Sequence, residues 1–141
     1  CELVDLDTLL ARSDVLTVHA PLTEGTRGLL GADQFAAMKQ GAFVVNVSRG
    51  GILDESALAD SIRSGHLAGA GLDTFGQEPI GESPLRELPT VIMSPHIAGL
   101  SHRTIANMTQ QSTQAVLDVL GGTLPVGAVN PDALNQQVLN P

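Results

Sequence analysis

Four short apolar runs punctuate the first two thirds of the chain, and between them apolar residues recur at three- and four-residue spacing. The runs are Val15-Leu16-Thr17-Val18, Ala42 to Val47, the glycine-containing Leu67 to Leu72, and Val91-Ile92-Met93. Each is too short for a helix and is stopped by polar residues, glycine or proline, so each predicts a strand. The intervening segments predict helices. Leu6, Leu9 and Leu10 share a face behind a capping Asp5, ending near Arg12-Ser13; Phe35 and Met38 share another ahead of Gly41; Leu58 and Ile62 follow a capping Asp54 and stop at Gly65. A longer stripe of Ile105, Met108, Ser112, Ala115, Val116 and Val119, capped by Ser101 and closed by Gly121-Gly122, predicts the longest helix.

Apolar strands alternating with helices imply an α/β fold, with a parallel sheet covered on both faces. Pro79, Pro84 and Pro89 exclude regular structure between Asp73 and Thr90, and an irregular loop of that length is a functional candidate. The expected organisation is a sheet domain over residues 1–100, a long helix over 101–121 and an extended tail over 122–141.

Composition narrows this picture. The chain has 141 residues, 43% of them hydrophobic, enough for one core, and three Phe with no Trp or Tyr make that core aliphatic. Seven Lys+Arg stand against 15 Asp+Glu, for a net charge of −8, with no basic cluster, which argues against nucleic acid or an acidic membrane as partner. No apolar run reaches the roughly 18 residues of a membrane span. The single Cys1 fits a reducing compartment, and the expectation is a soluble, cytoplasmic protein. The chain starts with Cys and has its first Met at Met38, which suggests a piece of something longer.

In an open parallel sheet ligands bind beyond the carboxyl ends of the strands. Those ends carry His19-Ala20-Pro21, then Ser48-Arg49-Gly50-Gly51, then Asp73, then Ser94-Pro95-His96. Arg49 offers a planar fork suited to a carboxylate, with glycines behind it leaving room for a ligand; its alternative is a salt bridge at a helix start. His96 suits proton transfer near neutral pH, near a loop that Gly99 can bring close to a ligand, or is merely structural. Glu78 can pair with His96 and favour its protonated form, or be a solvated loop acid. Asp73 can accept from a ligand or hold a turn. The histidines lack metal-site spacing and no cysteine pair exists, so no metal is expected. Gly69-Ala70-Gly71 lies inside a predicted strand and lacks a third glycine, so it is not a dinucleotide fingerprint.

Taken together, Ser13-Asp14-Val15 through His19-Ala20-Pro21-Leu22-Thr23, Val45-Asn46-Val47-Ser48-Arg49-Gly50-Gly51, Leu72-Asp73-Thr74-Phe75-Gly76-Gln77-Glu78-Pro79 and Ser94-Pro95-His96-Ile97-Ala98-Gly99 resemble the D-isomer-specific 2-hydroxyacid dehydrogenases. The resemblance covers roughly residues 5–122. It implies the second half of a doubly wound, Rossmann-type nucleotide domain, and hydride exchange between NAD, with NADP also open, and a 2-keto or D-2-hydroxy acid. Arg49, Glu78 and His96 match the family's catalytic arginine, glutamate and histidine. The arginine orients the substrate, the histidine exchanges the proton, and the glutamate keeps the histidine protonated.

The resemblance also implies that Ala20 and Pro21 border the adenosine end of the cofactor, that Val47, Ser48 and Arg49 border the nicotinamide, and that Asp73 holds its carboxamide. His96 to Gly99 would complete that wall. Formate dehydrogenases of the same superfamily carry glutamine where Glu78 stands, which argues against that branch. The family's glycine-rich turn would precede residue 1, so the expectation is that these 141 residues are inactive alone. A homodimer is the family expectation. The alternative is a dinucleotide-sensing, corepressor-like binding module without turnover.

Overall fold

The structure, a computed structural model, describes residues 1–131, and the part of the predicted tail beyond Pro131 lies outside the described residues. The chain divides into a unit over Cys1–Ala98 and a second from Gly99 onward. In the first, strands β1 (Val15–Val18), β2 (Phe43–Asn46), β3 (Gly69–Leu72) and β4 (Val91–Met93) form one parallel sheet in sequence order. Helices α1 (Leu6–Arg12), α2 (Ala32–Ala37) and α3 (Glu55–Arg63) follow the predicted alternation. Membership of the α/β class with a parallel sheet is therefore observed, and the Gly69-Ala70-Gly71 run is a strand.

The caps explain the helix boundaries. Asp5 accepts from the Thr8 amide, and Asp54 accepts from the amides of Ser56 and Ala57, so each carboxylate satisfies N–H groups that have no partner in the first turn. Helix α2 is shorter than expected, stopping at Ala37 rather than running to Gly41. Gly41, at φ 81°, instead turns the chain into β2 while its amide donates to the His66 carbonyl. The proline-rich stretch is also not wholly irregular. Pro84 starts a 3-10 turn, Pro84–Glu87, where its missing N–H costs nothing.

Parallel register puts Leu16, Val44 and Ala70 side by side, and Val18, Asn46 and Leu72 likewise, on one face. All but Asn46 join Leu10, Ile52, Leu58 and Leu67 in a single, mainly aliphatic core that holds two buried aromatics, Phe35 and Phe75. The opposite face differs from expectation: within Cys1–Ala98 it leaves Val15, Phe43 and Ile92 exposed, so the sheet there is packed on one face only. The apolar runs read as buried on both sides because Val15 and Phe43 are as hydrophobic as their buried neighbours.

In the second unit, α4 (His102–Leu120) starts where Ser101 accepts from the Thr104 amide, as its pattern predicts. No residue of α4 is buried. No helix among the described residues is long and apolar enough to cross a membrane.

One contact sets the spacing of two loops. A Cβ on Gly50 would lie 1.9 Å from the Phe75 carbonyl carbon and 2.4 Å from the Gly76 nitrogen, so the turn after β2 packs backbone against backbone on the turn after β3. Gly50→Ala is expected to destabilise the fold by roughly 1–3 kcal/mol. Gly81→Ala, where nothing lies within 4 Å, should stay within about 0.5 kcal/mol. Urea unfolding of the two variants checks the contrast.

Candidate functional site

The turn after β2 is shaped by a buried amide. Asn46, fully buried, accepts from the Ser48 amide (3.0 Å) and hydroxyl (2.9 Å) and donates through Nδ2 to the Arg49 carbonyl (2.9 Å). This Asx-type arrangement folds the chain back at the strand end and exposes Arg49. Sequence reasoning passed over Asn46, although an asparagine closing a strand two residues before a serine is a readable signal. The Arg49 guanidinium donates only to the Ser48 carbonyl (2.7 Å) and forms no ion pair among the described residues. Its charge is therefore available to an anion, and the salt-bridge alternative is not what the structure shows.

Arg49 lines a cavity of about 700 Å³ with His19, Ala20, Pro21, Leu22 and Ser48. His19 was not among the expected contacts; its Nε2 lies 2.9 Å from the Thr17 hydroxyl. Val47 is exposed and lines neither this cavity nor the one described next. The glycines after Arg49 do not leave room for a ligand, contrary to expectation. The space a Gly50 side chain would occupy is filled by the Phe75-Gly76 backbone, and that at Gly51 is bordered by Leu22 and Arg27 side chains at 3.3–3.4 Å.

Asp73 closes β3 and is buried, with three donors converging on it: the Ser94 hydroxyl (2.6 Å), the Ile97 amide (2.9 Å) and the Ala98 amide (2.9 Å). A carboxylate has about four acceptor positions, so most of its capacity is used inside the protein. Burial pushes its pKa up, but the Ser94 hydroxyl, the two amides and the nearby His96 together outweigh that and leave it below the ordinary range.

His96 sits inside the segment that Asp73 holds. Its backbone has φ 55°, left-handed for a non-glycine residue. Such a conformation costs roughly 1–3 kcal/mol and persists where neighbours over-determine it; here Ser94, Ile97 and Ala98 are all pinned around it. The imidazole Nδ1 lies 2.7 Å from Glu78 Oε2, while Glu78 Oε1 accepts from the Phe75 amide at 3.0 Å. The bond from His96 and then the Phe75 amide hold the Glu78 carboxyl below its usual range. An ionised carboxylate only accepts, so Nδ1 carries a hydrogen and Nε2 is the nitrogen left to exchange a proton. Because 48% of the His96 side chain and 37% of the Glu78 side chain are exposed, the pair adds little to stability, and its effect is orientation.

Glu78 and His96 share a second cavity of about 710 Å³ with Phe75, Pro79, Ile80, Arg86, Met93, Ser94 and Pro95. Arg86, which the sequence did not single out, fixes its rim by donating to the carbonyls of Ile80 and Gly81 at 2.8 Å each. The structure thus brings Glu78 and His96 into direct contact. It sets Arg49 one residue from the Gly50 contact with their loop. Gly99 belongs to the second unit, with open space around it.

Residues 1–98 match the family model described as the D-isomer specific 2-hydroxyacid dehydrogenase, NAD binding domain. The chain is 42% identical to a D-3-phosphoglycerate dehydrogenase of Synechocystis sp., over 99% of this chain and 25% of that protein. It is also 42% identical to a glyoxylate/hydroxypyruvate reductase B of Pectobacterium carotovorum, over 92% of this chain and 41% of that one. Among solved structures, the NAD-complexed D-isomer specific 2-hydroxyacid dehydrogenase of Lactobacillus delbrueckii ssp. bulgaricus superposes with a TM-score of 0.80 at 32% identity, covering 90% of this chain and 43% of that one. The chain therefore spans a quarter to two fifths of the length of these relatives.

The folded state holds Asp73 ionised more strongly than the unfolded chain does. Its contribution is full above the ordinary Asp value near pH 4 and is lost as pH falls through the lower folded-state value. Asp73→Asn is accordingly expected to be less stable at neutral pH, with a flatter acid limb than the parent between about pH 5 and pH 2. Urea midpoints across that range provide the measurement.

Proposed function

The chain belongs to the D-isomer-specific 2-hydroxyacid dehydrogenases through their NAD-binding domain, and on that premise we propose that the protein interconverts a 2-keto acid and its D-2-hydroxy acid. The observation that carries the reading is the His96–Glu78 contact at 2.7 Å, on the strand-end edge that also presents Arg49. Bound NAD, or NADP, would supply or accept the hydride.

The residues fit such a cofactor in the cavity at His19, Ala20, Pro21, Leu22, Ser48 and Arg49, which joins an open wall to a hydroxyl and a cation. In this reading Ala20 and Pro21 border the adenosine end, while Ser48 and Arg49 border the nicotinamide and Val47, which lines neither cavity, makes no contact with it. Asp73, with most of its acceptor capacity engaged, serves mainly by shaping the 94–98 backbone and offers the carboxamide its remaining capacity. Arg49 takes the substrate carboxylate on its guanidinium fork, a geometry it can hold by two parallel hydrogen bonds. During reduction His96 gives its Nε2 proton to the carbonyl oxygen, and during oxidation it takes the proton back. Glu78 holds Nδ1–H and keeps the ring in that tautomer. A homodimeric whole protein in the cytoplasm completes the proposal.

The test is reduced-nicotinamide absorbance followed with a panel of 2-keto acids in the full-length protein. Turnover should fall by roughly 10²–10⁴ in His96→Ala, while Arg49→Gln should chiefly raise KM for the acid. Glu78→Gln removes the carboxylate that holds Nδ1–H, so kcat should fall by roughly tenfold or more while KM for the acid changes little. Dinucleotide binding without turnover of any keto acid would instead favour a sensing module.

A further inference from the structure

The loop that carries Glu78 starts from the buried Thr74 and Phe75, the latter packed in the core, but few polar contacts hold the residues that follow. Among the described residues, residues 74–79 make two hydrogen bonds to anything outside themselves: Glu78 Oε2 with His96 at 2.7 Å, and the Gly76 amide with Glu55 Oε1 at 2.7 Å. The first is the contact whose position has to be explained. The second is therefore the one polar anchor that can fix the loop independently of His96. Glu55 is the first residue of α3, and that helix buries Leu58, Ala59 and Ile62 in the core. A carboxylate there is held on a rigid element that the core has already placed.

The neighbouring geometry makes this anchor directional. Two successive amides of the loop point at two different carboxylates, Phe75 at Glu78 and Gly76 at Glu55. The Gly50 backbone contact fixes how close the loop lies to the turn after β2, but contact alone leaves sliding and rotation open. A charge-assisted hydrogen bond of 2.7 Å fixes both. We propose that Glu55 is a positioning residue for the His96–Glu78 pair, acting through the Gly76 amide to set the loop on which Glu78 approaches the imidazole. The inference rests on the dehydrogenase reading for its kinetic consequence, but not for its structural one.

Glu55 touches neither the pair nor the cavity they share. Gly76 is exposed, so water can satisfy its amide when Glu55 is removed, and the fold should survive. The cost falls on alignment. Small displacements of a catalytic group are expensive in rate.

The experiment compares Glu55→Ala and Glu55→Gln in the full-length protein. In Glu55→Ala, kcat for keto-acid reduction should drop on the order of tenfold, with KM for the acid and dinucleotide affinity within twofold and the thermal midpoint little changed. Glu55→Gln keeps an oxygen acceptor and should restore most of kcat. A second readout needs no turnover: the carboxyl carbon of Glu78, followed by NMR against pH, should titrate at a higher pH in Glu55→Ala as its bond to His96 loosens, and return toward the parent value in Glu55→Gln. His96 and Asp73 are the charged groups acting on Glu78, and both stay in place in these variants.

Unchanged kcat together with an unchanged Glu78 titration in Glu55→Ala would overturn the proposal. So would equal losses in the alanine and glutamine variants. If the parent turns over no keto acid, the dehydrogenase reading fails, and the Glu78 titration alone still decides the role of Glu55. Should Glu55→Ala not fold, Glu55→Asp, one methylene short of the amide, carries the same comparison.

Discussion

The buried carboxylate of Asp73 is the constraint on which the rest of this edge depends. Its amide is fixed by the Asn46 carbonyl, so it reports the register of β2 with β3. Its side chain then gathers Ser94, Ile97 and Ala98, so it dictates how the chain turns after β4. A buried anion without donors would be intolerable, and three donors on one short segment can reach it only if the backbone between them bends sharply. The left-handed conformation of His96 is that bend. The histidine is presented to its cavity because an acid one strand earlier, at the end of β3, needed partners.

Around this point the two candidate catalytic groups are supported in different ways. His96 is positioned by its backbone, through donors on either side of it, while Glu78 is positioned by its loop, through Phe75 and Gly76. Arg49 has a third kind of support, the buried Asn46 amide that shapes the turn beneath it. Neutral and anionic side chains thus do structural work one step behind a cation and an imidazole that remain exposed. That division leaves the exposed groups free to meet a ligand.

Much of this was legible in the sequence, for identifiable reasons. The caps Asp5, Asp54 and Ser101 and the four strands were readable because capping chemistry and apolar runs are local signals. The end of α2 was misplaced because Gly41 was read as a helix stop when it serves the following turn. The exposed sheet face was illegible, since Val15 and Phe43 carry no mark in the sequence that distinguishes a covered from an open side. The pairing of Glu78 with His96 was left open by their chemistry, which equally allows a solvated loop acid, and was implied by the family resemblance. The parts played by Arg86 and Glu55 were missed because each acts on backbone groups elsewhere along the chain, which only the fold brings opposite, whereas that of Asn46 is a local turn signal that was readable.

The Gly50 contact has one more implication. Where side chains separate two loops, substitution can widen or narrow the gap by a methylene at a time. Here main chain meets main chain, and the separation between the arginine-bearing turn and the glutamate-bearing turn is a fixed gauge, set by the van der Waals radii of backbone atoms as long as position 50 is glycine. Variation in what such a site accepts has to come from the walls around the gauge, such as the Ile80, Arg86 and Met93 rim, rather than from the spacing of the charged groups themselves.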